Sequence, residues 1–184
     1  PGTLQALLAE VAAGHAVVIL QNRGLSVAPQ WHYAVVVGYD LDAGELVMRS
    51  GTTERELMRL ATFERTWARG GHWAFVALPP GRLPATATEA ELTAASVAFE
   101  RVAAPAAAER AYEAALARWP ASLTLAMGVG NARAGAGDSV GAAVAFEAAA
   151  ARHDSVAAWI NLAELRLRLG EQAAAEHAAR RAVA

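Results

Sequence analysis

Ala108-Glu109-Arg110-Ala111-Tyr112-Glu113-Ala114-Ala115 decides how the second half of this chain folds, because its pattern returns. The small, aromatic, small triplet Ala108, Tyr112 and Ala115 recurs 34 residues on as Ala142, Phe146 and Ala149. It recurs 33 residues later as Ala175, Ala179 and Ala182, without its aromatic. Spacings of four and three place each triplet on one helix face. Gly137-Asp138 and Gly170-Glu171 stand five residues before the second and third triplets, where a turn is needed, and Trp119-Pro120 closes the first unit. A fixed period of this length predicts stacked helix-turn-helix units.

Toward the N terminus the composition changes near residue 80, where Pro79, Pro80, Gly81 and Pro84 interrupt any regular element. This predicts two modules, a β-rich one over 1–80 and an all-α one over 85–184, joined by a proline-rich linker at 81–84. In the first module Leu4, Leu7, Leu8 and Val11 recur at helical spacing, and the apolar run over 16–20 has strand length. Trp31-His32-Tyr33-Ala34-Val35-Val36-Val37-Gly38-Tyr39 is the strongest strand signal in the chain. Asp42-Ala43-Gly44 is a tight turn into a strand over 45–49, so the two form a hairpin. A short strand over 55–60, a helix over 62–68 and a last strand over 72–78 complete an antiparallel sheet. The expected class is therefore α+β, a small antiparallel sheet followed by a helical repeat domain.

Of the 184 residues, 55% are hydrophobic and 18% charged, which sets disorder aside. The formal charge of -2 gives no basic field to hold a phosphate backbone, so no nucleic-acid partner is expected. Zero Cys excludes disulfides, thiolate metal sites and a cysteine nucleophile within this chain. No apolar stretch approaches the roughly 20 residues of a membrane helix. His15, His32, His72, His153 and His177 never fall at metal-ligand spacing, and no cofactor is expected. The glycines Gly128, Gly130, Gly135 and Gly137 have helical flanks, which speaks against a phosphate loop.

The repeats resemble the tetratricopeptide family, whose unit of about 34 residues pairs two helices through small and aromatic positions. Trp159, Leu162 and Ala163 suit the start of the third unit, Gly130 the small position of the second, and Phe99 the inner position of the first. The resemblance covers 85–184 and implies a groove that binds a protein or peptide. Asn131, Arg133, Asn161 and Arg168 are its candidate contact residues.

His32 stands where a loop meets a strand, a junction that often carries chemistry. The string around it, a helix, a strand, His-Tyr before a valine run, Gly-Tyr-Asp and a second strand, resembles the later half of papain-like cysteine peptidases of the bacteriocin-processing type. The resemblance covers 1–80 and implies a papain-like half-domain with His32 as the general base of peptide-bond hydrolysis. Where the family carries the acid that orients that histidine this chain reads Arg49-Ser50-Gly51, so the third member is Ser50, which can accept the imidazole hydrogen bond weakly, or is absent. The nucleophilic cysteine would lie on a lobe outside this chain, which as it stands would be inactive.

Other residues read as structural. Ser26 and Ser50 lack the surroundings of a nucleophile elbow, Asp40 and Asp42 form a turn, Trp67 and Trp73 belong to the core, and His72 opens the last strand. Two functions follow: a fragment of a bacterial papain-like peptidase with an interaction domain, or a non-catalytic repeat scaffold that binds peptides beside a vestigial peptidase-like sheet. The family resemblance implies an extracytoplasmic bacterial setting, and an exposed sheet edge would favour a homodimer.

Overall fold

The computed structural model describes residues 2–183, which divide into two compact units. One unit comprises the chain to Pro79 together with Pro84–Ala87; the other comprises Pro80–Leu83 and the chain from Thr88. The class is α+β, with five strands and eight helices among the described residues.

In the first unit α1 (Leu4–Ala12) begins where the Thr3 hydroxyl accepts a bond from the Ala6 amide. Then follow β1 (Val17–Asn22), β2 (Trp31–Asp40), β3 (Glu45–Ser50), β4 (Thr53–Arg59), α2 (Leu60–Ala68) and β5 (Ala74–Val76). All neighbours are antiparallel, in the order β4-β3-β2-β1-β5. The β2–β3 turn needs Gly44 at φ 69°, and the β3–β4 turn needs Gly51 at φ 56°. One sheet face supplies Val17, Ile19, Ala34, Val36, Leu46 and Met48 to a core that Leu7 of α1 and Phe63 and Trp67 of α2 complete.

The long apolar run in β2 is thus not buried along its length. Covered on one face, it alternates, leaving Trp31 and Tyr33 exposed while Ala34 and Val36 point inward. Trp73, expected in the core, is 44% exposed and sits edge-on to Tyr33 and Phe75. The last strand is shorter than the expected 72–78, because His72 adopts the left-handed φ of 55° just before it. Its ring lies edge-on to Trp67 and bonds Glu64.

The second unit consists of α3 (Glu89–Glu100), α4 (Pro105–Arg118), α5 (Leu123–Gly135), α6 (Ser139–His153), α7 (Val156–Arg168) and α8 (Gln172–Val183). Starts are specified locally: a Thr88/Glu91 capping box on α3, Pro105 in the first turn of α4, and Asp138 and Ser155 as caps of α6 and α7. Left-handed Gly137 and Gly170 end α5 and α7. Two buried clusters result, one around Ala108, Tyr112, Ala115, Leu125 and Val129, the other around Ala142, Phe146, Ala149, Trp159 and Leu162. Alanine dominates because close helix approach leaves room for little else. A Cβ on Gly128 would meet the Tyr112 ring at 2.3 Å, and one on Gly130 would meet Phe146 at 2.4 Å.

Candidate functional site

At one end of the sheet β1, β2, β3 and β4 bring polar side chains onto the core-facing side. Register pairs Gln21 with His32, so both point toward the helices, and Ser50 arrives at the end of β3. His32 Nε2 lies 2.6 Å from Ser50 Oγ. Arg23 reaches both Glu56 oxygens at 3.0 and 3.1 Å, and the buried Gln21 amide donates to Thr66 Oγ1 at 2.6 Å.

Burial works to raise the Glu56 carboxyl, but the Ser50 hydroxyl and the Arg23 guanidinium outweigh it and hold the group below its ordinary range. In the His32–Ser50 contact the hydroxyl can donate to or accept from the ring nitrogen, according to the tautomer. What the cluster does on its own is satisfy polar groups where the sheet core meets solvent. Ser50→Ala is therefore expected to cost about 1–3 kcal/mol by stranding partners on both sides. Urea unfolding measures this, and an unchanged midpoint would show the hydroxyl to be dispensable.

The candidate contact residues of the repeats divide. Asn131 of α5 and Asn161 and Arg168 of α7 line one cleft of about 180 Å³, floored by Phe146 and Leu165. Neither asparagine amide bonds to any of the described residues. Arg168 is held by Glu164 one turn away on the same helix. Arg133 is elsewhere: its guanidinium binds Glu109 and Glu113, each at 2.7 Å, and faces a separate cleft with Leu116, Val129 and Arg152. The Glu109 bond leads in raising its pKa above the usual arginine range. Its place on α5 is two residues beyond Asn131, about 200° around the helix, which explains why it cannot join the others. Glu164 was missed by sequence reading, although 161, 164, 165 and 168 follow the spacing of a single helix face.

Among the described residues no group of three His, Asp or Glu side chains could hold a metal, and no helix is long and apolar enough to cross a membrane.

No family model matches the sequence, and neither does any curated protein. Solved structures do match. The Yersinia enterocolitica type III secretion translocator chaperone SycD, in an alternative dimer, is 21% identical, with a TM-score of 0.48 over 52% of this chain and 73% of that one. SycD in complex with a peptide of the translocator YopD is 18% identical, with a TM-score of 0.49 over 53% and 77%. These are secretion chaperones and not peptidases, and no family model supports a peptidase, so the papain-like identification of 1–80 is withdrawn. His32 and Ser50 took their catalytic roles from that resemblance alone, and the likeness to solved structures is one of helical fold at low identity.

Proposed function

We propose that this chain is a non-catalytic module that binds a polypeptide segment through its helical repeats. The observation that carries this reading is the cleft between α5 and α7, which Asn131 and Asn161 line with unbonded side-chain amides together with Arg168. A side-chain amide presents a donor and an acceptor together, which matches the alternating N–H and C=O of a peptide backbone. At about 180 Å³ the cleft is smaller than the roughly 300–1,000 Å³ of small-molecule sites and suits one or two residues of a longer segment. Glu164 masks Arg168, so a peptide carboxylate must displace one acid to gain the guanidinium, which selects acidic over neutral side chains at that point.

The test is selection from a displayed random-peptide library against the full chain, followed by titration of a recovered peptide. Asn131→Ala and Asn161→Ala are each expected to weaken it about fivefold to thirtyfold, the worth of one or two hydrogen bonds. Arg133→Ala is expected to leave affinity unchanged while lowering the thermal midpoint. Recovered peptides that bind the asparagine variants as well as the parent would sink the reading.

A further inference from the structure

Two successive clefts of the repeat unit are built from equivalent positions, and one is filled while the other is open. The filled one lies among α6, α7 and α8. There Trp159 is 6% exposed and packs with Ala150 and Ala178, and the His177 ring meets it edge-on. The Arg181 guanidinium stands 4.9 Å from the centre of an indole ring, that of Trp159, while pairing with Asp154 at 3.0 Å. One period earlier, among α4, α5 and α6, the positions of Trp159, His177 and Arg181 hold Ala126, Val144 and Ala148. Leu116 stands there in the place of Ala150, and a hollow of about 560 Å³ remains beside it. Residue size at equivalent positions, and not the end of the helix row, leaves this cleft open. Its rim carries two arginines in different states. Arg133 is neutralised by Glu109 and Glu113, whereas Arg152 has no acid partner among the described residues.

We infer that the open cleft binds a small aromatic carboxylate, a ring joined to its acid by a short aliphatic arm, with the ring where the next repeat holds its indole and the acid on Arg152. The ring follows from the filled equivalent, in which the same backbone positions enclose an indole. Leu116, Ala126, Val144 and Ala148 offer it apolar walls whose contacts go unused while the hollow is open. Charge places the acid, because Arg152 is ready to pair while Arg133 would first have to release two carboxylates. Helix geometry sets the arm. Arg152 lies four residues beyond Ala148 on the same face of α6, so its backbone is about 6 Å along the axis from the position whose equivalent, Arg181, covers the indole in the filled cleft. The size suits a free small molecule, since about 560 Å³ falls within the roughly 300–1,000 Å³ of such sites. This cleft opens on the opposite side of α5 from the Asn131–Asn161 cleft, and the inference stands without the peptide reading.

The probe is indolepropionic acid, titrated against the full chain by isothermal calorimetry beside its neutral amide. Saturable binding is expected, with the amide weaker by about threefold to fivefold, the worth of one exposed ion pair. Arg152→Glu is expected to abolish that preference by weakening the acid and leaving the amide unchanged. Val144→Asp and Ala148→Glu, both at exposed positions, are expected to weaken the acid at least about tenfold, with circular dichroism verifying the fold. Ala126→Trp, which installs the ring of the next repeat, is expected to block the cleft. No saturable binding, or binding that Val144→Asp and Ala148→Glu leave intact, overturns the inference. So do equal affinities for acid and amide, and so does loss of binding confined to Asn161→Ala, which assigns the probe to the other cleft. A peptide ending in Trp that binds more than about tenfold tighter makes a chain terminus the occupant, and self-association that Val144→Asp abolishes makes it a second copy; either result overturns the inference as well.

Discussion

Glu10→Ala is expected to cost the first unit about 3–5 kcal/mol, the range for removing one partner from a buried charged pair. Glu10 is fully buried, yet four donors converge on its carboxylate: His15 Nδ1 at 2.7 Å, the Thr86 amide at 2.7 Å and hydroxyl at 2.5 Å, and the Ala85 amide at 3.0 Å. Removing the carboxylate strands all four, and it releases residues 84–87 from the unit in which they pack. Burial alone would raise this carboxyl. The bonds from His15, Thr86 and Ala85 outweigh it and bring the group from 4.5 down to about 2. A folded-state value below the unfolded one means that the unfolded chain binds the extra proton. Stability from Glu10 is therefore complete above about pH 4.5 and is lost as the pH falls toward 2, amounting to about 3 kcal/mol over that window. Hydrogen exchange of peptides from α1 and β1, measured between pH 5 and 2.5, separates this unit from the other. Wild-type protection should fall steeply across the window while that of Glu10→Gln changes little; parallel pH profiles would show that the carboxylate carries no such linkage.

How far the sequence discloses these features depends on the range of the contact. Strand β2 is legible because β-branched and aromatic residues crowd 31–39, and the repeat is legible because close helix packing admits only small residues at fixed spacing. Which face of β2 is covered is not legible from an unbroken apolar run. Trp31 and Tyr33 look like core residues until one-sided covering by α1 and α2 turns them outward. The His32–Ser50 contact joins strand ends in one hairpin, and only a family likeness, not a local pattern, sets those two residues side by side. The residues around it, Arg23 in the loop after β1 and Glu56 on β4, are marked by no local pattern. Glu10 shows the extreme case, with its donors at Ala85 and Thr86 more than seventy residues away in a stretch that reads only as a linker. In the repeats, Asn131, Asn161 and Arg168 meet because they share facing helix surfaces, and Arg133 fails to join them through helical phase alone.

Helix α5 offers an experiment in which one substitution type should give opposite signs. Gly130→Ala replaces a residue of poor helix propensity and by that measure should gain up to about 1 kcal/mol. The added Cβ, however, would lie 2.4 Å from Phe146 Cε1 and 2.7 Å from Cδ1, well inside contact distance, and the ring is itself buried in the cluster with Trp159 and Leu162. Neither ring nor helix can yield without opening the packing between α5 and α6, so overpacking of about 1–3 kcal/mol decides the outcome and the variant is destabilised. Gly135→Ala, five residues along the same helix, meets nothing nearer than Pro105 Cγ at 3.7 Å, an ordinary contact, and is expected to stabilise. A double-mutant cycle with Phe146→Leu separates clash from propensity: relief of the Gly130→Ala penalty by the altered side chain requires a coupling of about 1 kcal/mol, whereas strict additivity would place the cost elsewhere. The third helix pair has already made the complementary exchange, with Ala163 in the glycine's place and Ala179 in the aromatic's. Gly130→Ala should accordingly be tolerated in the company of Phe146→Ala, at the expense of the buried contacts that the Phe146 ring makes in the second pair.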